Sequence, residues 1–219
     1  MSASGSGGGV ISPGRIVVLN GAPRSGTSSI AAVIQDRWDG PWMALGVDWH
    51  AGLATPPRYR PGIGLRPGGE HPEVAALVPT LYAALYEAIA DHARLGLNVV
   101  VDVGHHLADP AGLDLLRDCA RRLTGLPALL VGVTCPIAVI MQRRNAGQPG
   151  REGVYLTGTL EAPVPEPVRL WQAAVTAPDL VDLAVDTAVN SPSACAATIR
   201  SHLDAPLLGP SAFERLASG

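Results

Sequence analysis

The chain has 219 residues, a length that suits one large domain and is too short for two well-built ones. Hydrophobic residues make up 47% and charged residues 16%, which excludes a disordered chain, and a net charge of −3 attracts neither nucleic acid nor an anionic membrane. The sequence shows no charge-free apolar run of membrane-spanning length and no signal peptide, so a cytoplasmic protein is expected.

Lysine and cysteine usage narrows the chemistry further. The sixteen basic side chains are all arginine, so any mechanism that needs a lysine must use a substitute. The three cysteines are odd in number and widely spaced, which favours reduced, buried thiols over a disulfide framework or a zinc site.

A Gly- and Ser-rich tail, residues 1–14, precedes apolar runs that alternate with helical patterns, as is typical of a parallel α/β sheet. The predicted strands are short apolar runs, namely Ile16–Leu19, Trp42–Val47, Asn98–Val103, Leu129–Val133 and Leu183–Val185. The predicted helices are Ser28–Trp38, Val74–Leu95, Asp109–Leu123 with Asp109 as its cap, Ile137–Asn145, Val168–Val175 and Ser193–Leu203. We therefore expect a single α/β domain, residues 15–205, with a five-stranded parallel sheet flanked by helices, and a C-terminal tail, residues 206–219.

The segment between the first strand and the first helix reads G-A-P-R-S-G-T-S and has the glycine spacing of the phosphate-binding pattern G-x-x-x-x-G-K-[ST]. Glycines let consecutive backbone N–H groups turn around an anion, and the helix N-terminus that follows adds positive potential. The predicted phosphate-binding residues are Gly21, Ala22, Pro23, Arg24, Ser25, Gly26, Thr27 and Ser28. Ser28 has the hydroxyl position that coordinates Mg²⁺, whereas Thr27 occupies the lysine position and supplies no cation.

Arginines offer two ways to replace the lost charge. Arg24 lies inside the loop, and a guanidinium can bind phosphate oxygens through two parallel hydrogen bonds. Arg143, Arg144 and Arg151 lie on and after a helix that precedes a Gly- and Pro-rich stretch, where they could close over a transferring phosphoryl group. A solvated loop residue and an exposed helix face are the alternatives for the two sets.

Two aspartates lie where predicted strands end, on the edge where the loop begins: Asp48 follows Trp42–Val47, and Asp102 closes the apolar run V-V-V-D. Asp48 could accept the proton of a substrate hydroxyl, and Asp102 could hold Mg²⁺ directly or through water. Helix capping is the alternative role for both. The neighbouring His50, His105 and His106 are candidates for substrate contacts or ordinary loop residues, because no zinc pattern accompanies them. The absence of a G-x-S-x-G segment argues against a serine hydrolase.

The order L-N-G-A-P-R-S-G-T-S-S, P-W-M-A-L-G-V-D, V-V-V-D-V and L-L-V-G-V-T-C, followed by an arginine-bearing helix, resembles the chloramphenicol phosphotransferase family. The resemblance extends from about Ile16 to Leu203 and implies a P-loop kinase of the shikimate and gluconate kinase type. It implies Mg²⁺ and ATP as cofactors and a small-molecule hydroxyl as acceptor, chloramphenicol being the family's example. Thr27 stands where the family has lysine.

The same resemblance implies roles for residues and segments. Asp48 would be the general base, Arg143 and Arg151 the lid arginines, and Thr187 a residue beside the adenine. Residues 145–165 would form the lid, and residues 51–79 would cover the acceptor.

Two other functions stay open at this point. P-R-S-G-T-S also resembles the 5′-phosphosulfate loop of sulfotransferases, which would make phosphoadenosine phosphosulfate the donor and leave Asp102 without a purpose. A nucleotide-binding protein that has lost transfer activity is the other alternative. Neither nucleic acid nor a membrane is an expected partner, and homo-oligomerisation is left open.

Overall fold

The computed structural model describes residues 12–60, 71–105, 114–149, 153–175, 180–206 and 209–218. The strands are β1 (Ile16–Gly21), β2 (Trp42–Gly46), β3 (Asn98–Val103), β4 (Ala128–Thr134) and β5 (Leu183–Asp186). The α-helices in these ranges are α1 (Thr27–Arg37), α2 (Val47–Trp49), α3 (Val78–Arg94), α4 (Leu115–Arg122), α5 (Ile137–Asn145), α6 (Glu166–Val175), α7 (Pro192–Asp204) and α8 (Ala212–Ser218).

The five strands form one parallel sheet in the order β2-β3-β1-β4-β5, which confirms the predicted α/β architecture. β1 is central and has strands on both sides, so its apolar residues Ile16–Leu19 are fully buried. From β1 the chain runs to β2 at one edge of the sheet, and from the neighbouring strand β4 it runs to β5 at the other edge. Ligands of open α/β sheets bind at such a reversal, beyond the carboxyl ends of the strands.

Alternation along the strands gives each face of the sheet its own core. Ile16 and Val18 pack with α3, α4 and α8, whereas Val17 and Leu19 pack with α1 and α7. Successive side chains of a strand point to opposite faces, and helices cover both. The carboxyl-terminal edge of the sheet is left to the loops.

Helix α3 carries the apolar face that fits against the sheet. Its buried residues recur at helical spacing, as in Tyr82, Leu85, Tyr86 and Ile89. The segment Pro72–Arg94 is the one helix of the described ranges whose length and composition would allow it to cross a membrane. Its apolar side chains pack against β-strand residues of the core.

Two helix starts lie more than two residues from the predicted ones. Helix α3 begins at Val78, because a 3₁₀ segment, Pro72–Leu77, precedes it. The cap of α4 is Asp114, whose side chain accepts a hydrogen bond from the Arg117 N–H. The predicted cap, Asp109, lies outside the described residues.

The C-terminal segment is a packed helix where the sequence analysis expects a tail. Phe213 and Leu216 of α8 are buried against the cluster that includes α4. Ser211 and Glu214 exchange side-chain-to-backbone hydrogen bonds across the first turn, the arrangement of a capping box. Asp182, just before β5, accepts a hydrogen bond from Ala212 N–H and another from Leu130 N–H, so it ties the helix to β4.

Candidate phosphate-binding site

Residues 21–28 curl between β1 and α1. Ser25 N–H donates to Ala22 O over 2.8 Å, and the Ser29 and Ile30 N–H groups both donate to Gly26 O as α1 begins. Arg24 and Gly26 have φ angles of 77° and 110°. The left-handed region suits glycine and costs about 1–2 kcal/mol for another residue, so the contacts of Arg24 must hold the turn.

Several backbone N–H groups of this loop have no acceptor in the described part of the chain. They belong to Arg24, Gly26, Thr27 and Ser28. The Ser25 hydroxyl is also buried without a partner, and a Cβ on Gly21 would collide with it. Buried or clustered N–H donors need acceptors, and an anion supplies them for a loop of this shape.

Ser28 and Asp102 meet at the edge of the sheet. The Ser28 hydroxyl donates to Asp102 Oδ2, and Asp102 lies beside Leu19 in β1 and Gly46 in β2. A hydroxyl and a carboxylate are the hard oxygen ligands that Mg²⁺ takes, with the remainder coming from water and phosphate. The described residues contain no group of three His, Cys, Asp or Glu side chains that would bind a metal unaided. The donor set therefore fits Mg²⁺ bound together with a phosphate ligand.

Gly46 allows β2 to approach this aspartate. A Cβ at Gly46 would lie 2.7 Å from Asp102 O and 3.3 Å from Asp102 Cβ. The position of the aspartate thus depends on the missing side chain of its neighbour in the sheet.

The arginine pair on α5 contacts carbonyl groups of the loop. Arg143 Nη1 donates to Arg24 O (3.2 Å) and Ser25 O (3.0 Å), and Arg144 Nη2 donates to Pro23 O (3.3 Å). Arg144 is buried, with its guanidinium 5.5 Å from the centre of the Tyr155 ring. Three successive carbonyls of the loop are held by two successive arginines.

Thr187, after β5, contacts the same loop. Its hydroxyl donates to Ser25 O and accepts from Arg143 Nη1 (3.1 Å), while Arg143 Nη2 donates to Thr187 O over 2.7 Å. A Cβ on Gly26 would come within 3.3 Å of the Thr187 methyl group. Thr187 and Arg143 therefore join the loop to the end of β5.

Arg24 reaches away from the loop to the segment after α5. Its guanidinium donates to Gln148 Oε1, Arg143 O (2.7 Å) and Gly147 O (3.2 Å), and it lies 5.3 Å from the centre of the Tyr155 ring. These acceptors are uncharged. Among the described residues no carboxylate forms an ion pair with Arg24 or Arg143.

A cleft of about 580 Å³ opens over these groups. Its lining combines the loop, α5 and the segments that follow α5 and β5, and includes Arg24, Thr27, Ser28, Arg143, Tyr155 and Thr187. This volume is in the range of small-molecule and cofactor sites. Six of the predicted nucleotide-binding residues therefore line one opening, namely Arg24, Gly26, Thr27, Ser28, Arg143 and Thr187.

Asp48 is exposed in the short helix α2, two residues after β2. A π-helical turn follows, His50–Ala54, in which Thr55 N–H and the Thr55 hydroxyl both donate to His50 O over 2.9 Å. Burial lowers the pKa of His50, which favours the neutral ring. Asp48 thus lies beyond the same edge of the sheet as Asp102, two residues before His50.

His105 is a buried residue behind the loop. Its ring nitrogen Nε2 lies 2.6 Å from the Tyr86 hydroxyl, and its backbone N–H donates to Asn20 Oδ1 over 2.7 Å. Asn20 directly precedes the loop, so His105 supports the end of β1. The predicted candidates His106 and Arg151 lie outside the described residues, as does part of the expected lid, residues 150–152.

The model of one protein family, described as chloramphenicol phosphotransferase-like protein, matches residues 14–204. The chain belongs to the chloramphenicol phosphotransferase-like family. This confirms the resemblance stated from the sequence. No curated protein matches the chain.

Solved structures share the fold of this family member. One is the APS kinase of Mycobacterium tuberculosis in complex with AMPPNP and APS (17% identity, 88% of this chain and 99% of that chain, TM-score 0.59). Others are the tunicamycin resistance protein of Deinococcus radiodurans (16%, 90% and 99%, 0.56) and the shikimate kinase of Aquifex aeolicus (15%, 86% and 96%, 0.51). The fold is that of P-loop kinases.

Some parts of the site have no clear signal in the sequence. Gln148 and Tyr155 face Arg24, yet both lie in a stretch that the sequence marks only as Gly- and Pro-rich. The R-R pair at 143–144 is visible, but its contact with loop carbonyls is not, because main-chain acceptors carry no sequence signature.

Proposed function

We propose that this protein is an ATP-dependent phosphotransferase that moves the γ-phosphate to a hydroxyl group of a small molecule. Family membership and the kinase fold support a small-molecule phosphotransferase of the P-loop type. An antibiotic such as chloramphenicol is the acceptor that the family name suggests. We place the reaction in the cytoplasm, where its nucleotide donor is found.

The observation that carries this proposal is the Ser28–Asp102 hydrogen bond beside a loop with unpaired N–H groups. A triphosphate needs donors for its oxygens and a cation for its charge. Bound Mg²⁺ would neutralise charge on the phosphates and polarise them for transfer. Ser28 and Asp102 would hold it, and residues 21–28 would bind the phosphates through main-chain N–H groups.

The remaining roles follow from position. Asp48 would accept the proton of the attacking hydroxyl, since it lies beyond β2 on the edge where the loop begins. Arg24, Arg143 and Arg151 would stabilise charge on the phosphates, and Thr187 would lie on the nucleotide side of the cleft. Phosphoryl transfer requires mainly positioning and electrostatic stabilisation, which this set of residues can supply.

Calorimetry with ATP, with and without Mg²⁺, and with phosphoadenosine phosphosulfate tests this proposal. We expect Mg²⁺ to tighten ATP binding at least tenfold, because Ser28 and Asp102 would add ligands to a metal already bound by phosphate. Tight, Mg²⁺-independent binding of phosphoadenosine phosphosulfate together with weak ATP binding would instead indicate the sulfotransferase alternative.

Ser28→Ala sharpens the same measurement. Loss of the hydroxyl should remove most of the Mg²⁺-dependent gain and leave Mg²⁺-free ATP binding within about twofold. Ser201→Ala, at an exposed position of α7, is the matched control and should retain the gain. An unchanged Mg²⁺ effect in Ser28→Ala would remove this residue from the site.

A further inference from the structure

We propose that Arg143 and Arg144 take the place of the absent loop lysine by binding carbonyl groups of the loop, which holds two of its peptide units with their N–H groups facing the phosphates. This inference rests on the proposed function, and it assigns to these arginines a positioning role that does not require contact with the donor. It also explains how a chain without lysine can keep a phosphate-binding loop.

The peptide geometry gives the direction of these groups. The described part of the chain contains no cis peptide bond, and a trans peptide is planar, so its N–H points opposite to its C=O. The unit joining residues 23 and 24 has its carbonyl on Arg144, and the unit joining residues 25 and 26 has its carbonyl on Arg143. The N–H groups of these two units, on Arg24 and Gly26, are among those without an acceptor in the described ranges. Each arginine therefore fixes the direction of an unpaired donor.

The electrostatic consequence follows from the same contacts. A guanidinium at the carbonyl end of a peptide unit stabilises the orientation in which the positive N–H end points the other way. The charge of Arg143 is opposed by no carboxylate among the described residues, so its potential adds to that of the two N–H groups. The side chain at position 27 is a buried threonine, which carries no charge.

Thr187 completes the support. Its hydroxyl donates to Ser25 O and accepts from Arg143, so the same carbonyl has two donors. Buried polar networks of this kind hold one geometry when all members are bonded. The loop is thus held through its carbonyl groups.

Binding of inorganic tripolyphosphate to the full chain without Mg²⁺ tests this inference, because the probe has no base and needs no transfer. We expect Arg143→Met and Arg144→Met each to raise the Kd at least tenfold. Arg143→Gln, which keeps a hydrogen-bond donor without the charge, is the milder variant and should raise it at least threefold. Arg169→Met, on an exposed part of α6, is the matched control and should change the Kd less than twofold.

Adding Thr27→Lys to Arg143→Met provides the decisive arm. A lysine at position 27 supplies a positive charge directly to the phosphates. We therefore expect it to recover most of the tripolyphosphate affinity that Arg143→Met loses. The same lysine in the parent chain should improve binding by a smaller factor. A Kd within twofold of the parent in Arg143→Met, or no recovery with Thr27→Lys in a variant that melts like the parent, would overturn the inference.

Amide NMR of the ligand-free chain separates this role from direct phosphate contact. Arg143→Gln should shift the Gly26 amide proton before any ligand is added, and Arg144→Met should shift that of Arg24. Unchanged amides combined with weaker tripolyphosphate binding would mean that the arginines contact the phosphates directly, and would overturn the positioning role. If these effects occur and no acceptor is ever phosphorylated, the inference stands and the proposed function fails.

Discussion

Asp48 is the residue on which the proposed chemistry depends most directly. It is exposed in the short helix α2, two residues beyond β2. If it is the general base, Asp48→Asn should lower turnover about 100-fold or more, because an amide does not accept a proton. Nucleotide affinity should not change, since the residue has no role in holding the phosphates.

Initial rates with an acceptor that the parent chain phosphorylates, together with ATP calorimetry, check this expectation. Asp36→Asn provides a matched control, since Asp36 is exposed on α1 and takes no part in the site. Normal turnover in Asp48→Asn would assign the proton to another group, and a loss of ATP affinity would give Asp48 a binding role.

At the level of single residues, the sequence predicts which residues belong to the candidate site better than it predicts their contacts. The loop, Ser28 and Asp102 are identifiable because glycine spacing and strand-end carboxylates are local patterns. The role of Arg24 is less predictable, because its partners lie 119–124 residues away and two of them are backbone carbonyls. Side-chain identity alone does not reveal which neutral groups surround a cation.

The pairing of β2 with β3 sets the position of Asp102, the carboxylate proposed to hold Mg²⁺. Gly46→Ala would place a methyl group 2.7 Å from Asp102 O, closer than real Cβ contacts allow. We expect a loss of about 1–3 kcal/mol in the free energy of unfolding, as for other overpacked sites. The Mg²⁺-dependent gain in ATP affinity should also shrink, because Asp102 would be displaced from Ser28.

Urea unfolding and ATP calorimetry measure the two effects. Gly52→Ala is the control, because a methyl group at that position would meet no heavy atom within 4 Å and the φ angle of Gly52 is not left-handed. Full Mg²⁺ dependence in a folded Gly46→Ala protein would show that the aspartate tolerates the shift.

Helix α8 contributes to the core although it is short. Phe213 is 3% exposed, so Phe213→Ala should lower the free energy of unfolding by about 3–5 kcal/mol through lost burial and a cavity. Leu160 is fully exposed, so Leu160→Ala is the control and should change the free energy of unfolding by less than about 0.5 kcal/mol. Urea denaturation distinguishes the two, and equal midpoints would mean that α8 is detached in solution.

At the level of elements, the five strands and most helices follow from apolar runs and their periods. Helix α8 is the exception, because a seven-residue helix offers too few turns for a periodic pattern. Its stability depends on the capping box at Ser211 and on Asp182, which is distant in sequence. The start of α4 is similar, since a capping aspartate is recognised only once the backbone it caps is known.

The whole molecule should lose stability in alkaline solution. Burial raises the pKa of the Cys119 thiol above its ordinary value of 9.0 and raises the pKa of Tyr86 well above 10.0. Above about pH 9 the unfolded chain therefore binds fewer protons than the folded chain, and stability falls as pH rises. Cys119→Ala should reduce the slope of unfolding free energy against pH by up to about 1.4 kcal/mol per pH unit.

Urea titrations at several alkaline pH values give that slope. All three cysteines are buried, so a thiol reagent should label them only after unfolding, which measures how readily the core opens. Identical slopes for the parent and Cys119→Ala would show that the thiol is not the titrating group.

The two arginines that hold loop carbonyls recognise atoms that every amino acid possesses. Substitutions at Pro23 and Ser25 would therefore leave these backbone acceptors in place, whereas loss of either arginine removes a donor. If the arginines act as proposed, the sequence signature of this loop includes the Arg-Arg pair near the end of α5, with Arg143 119 residues downstream of Arg24.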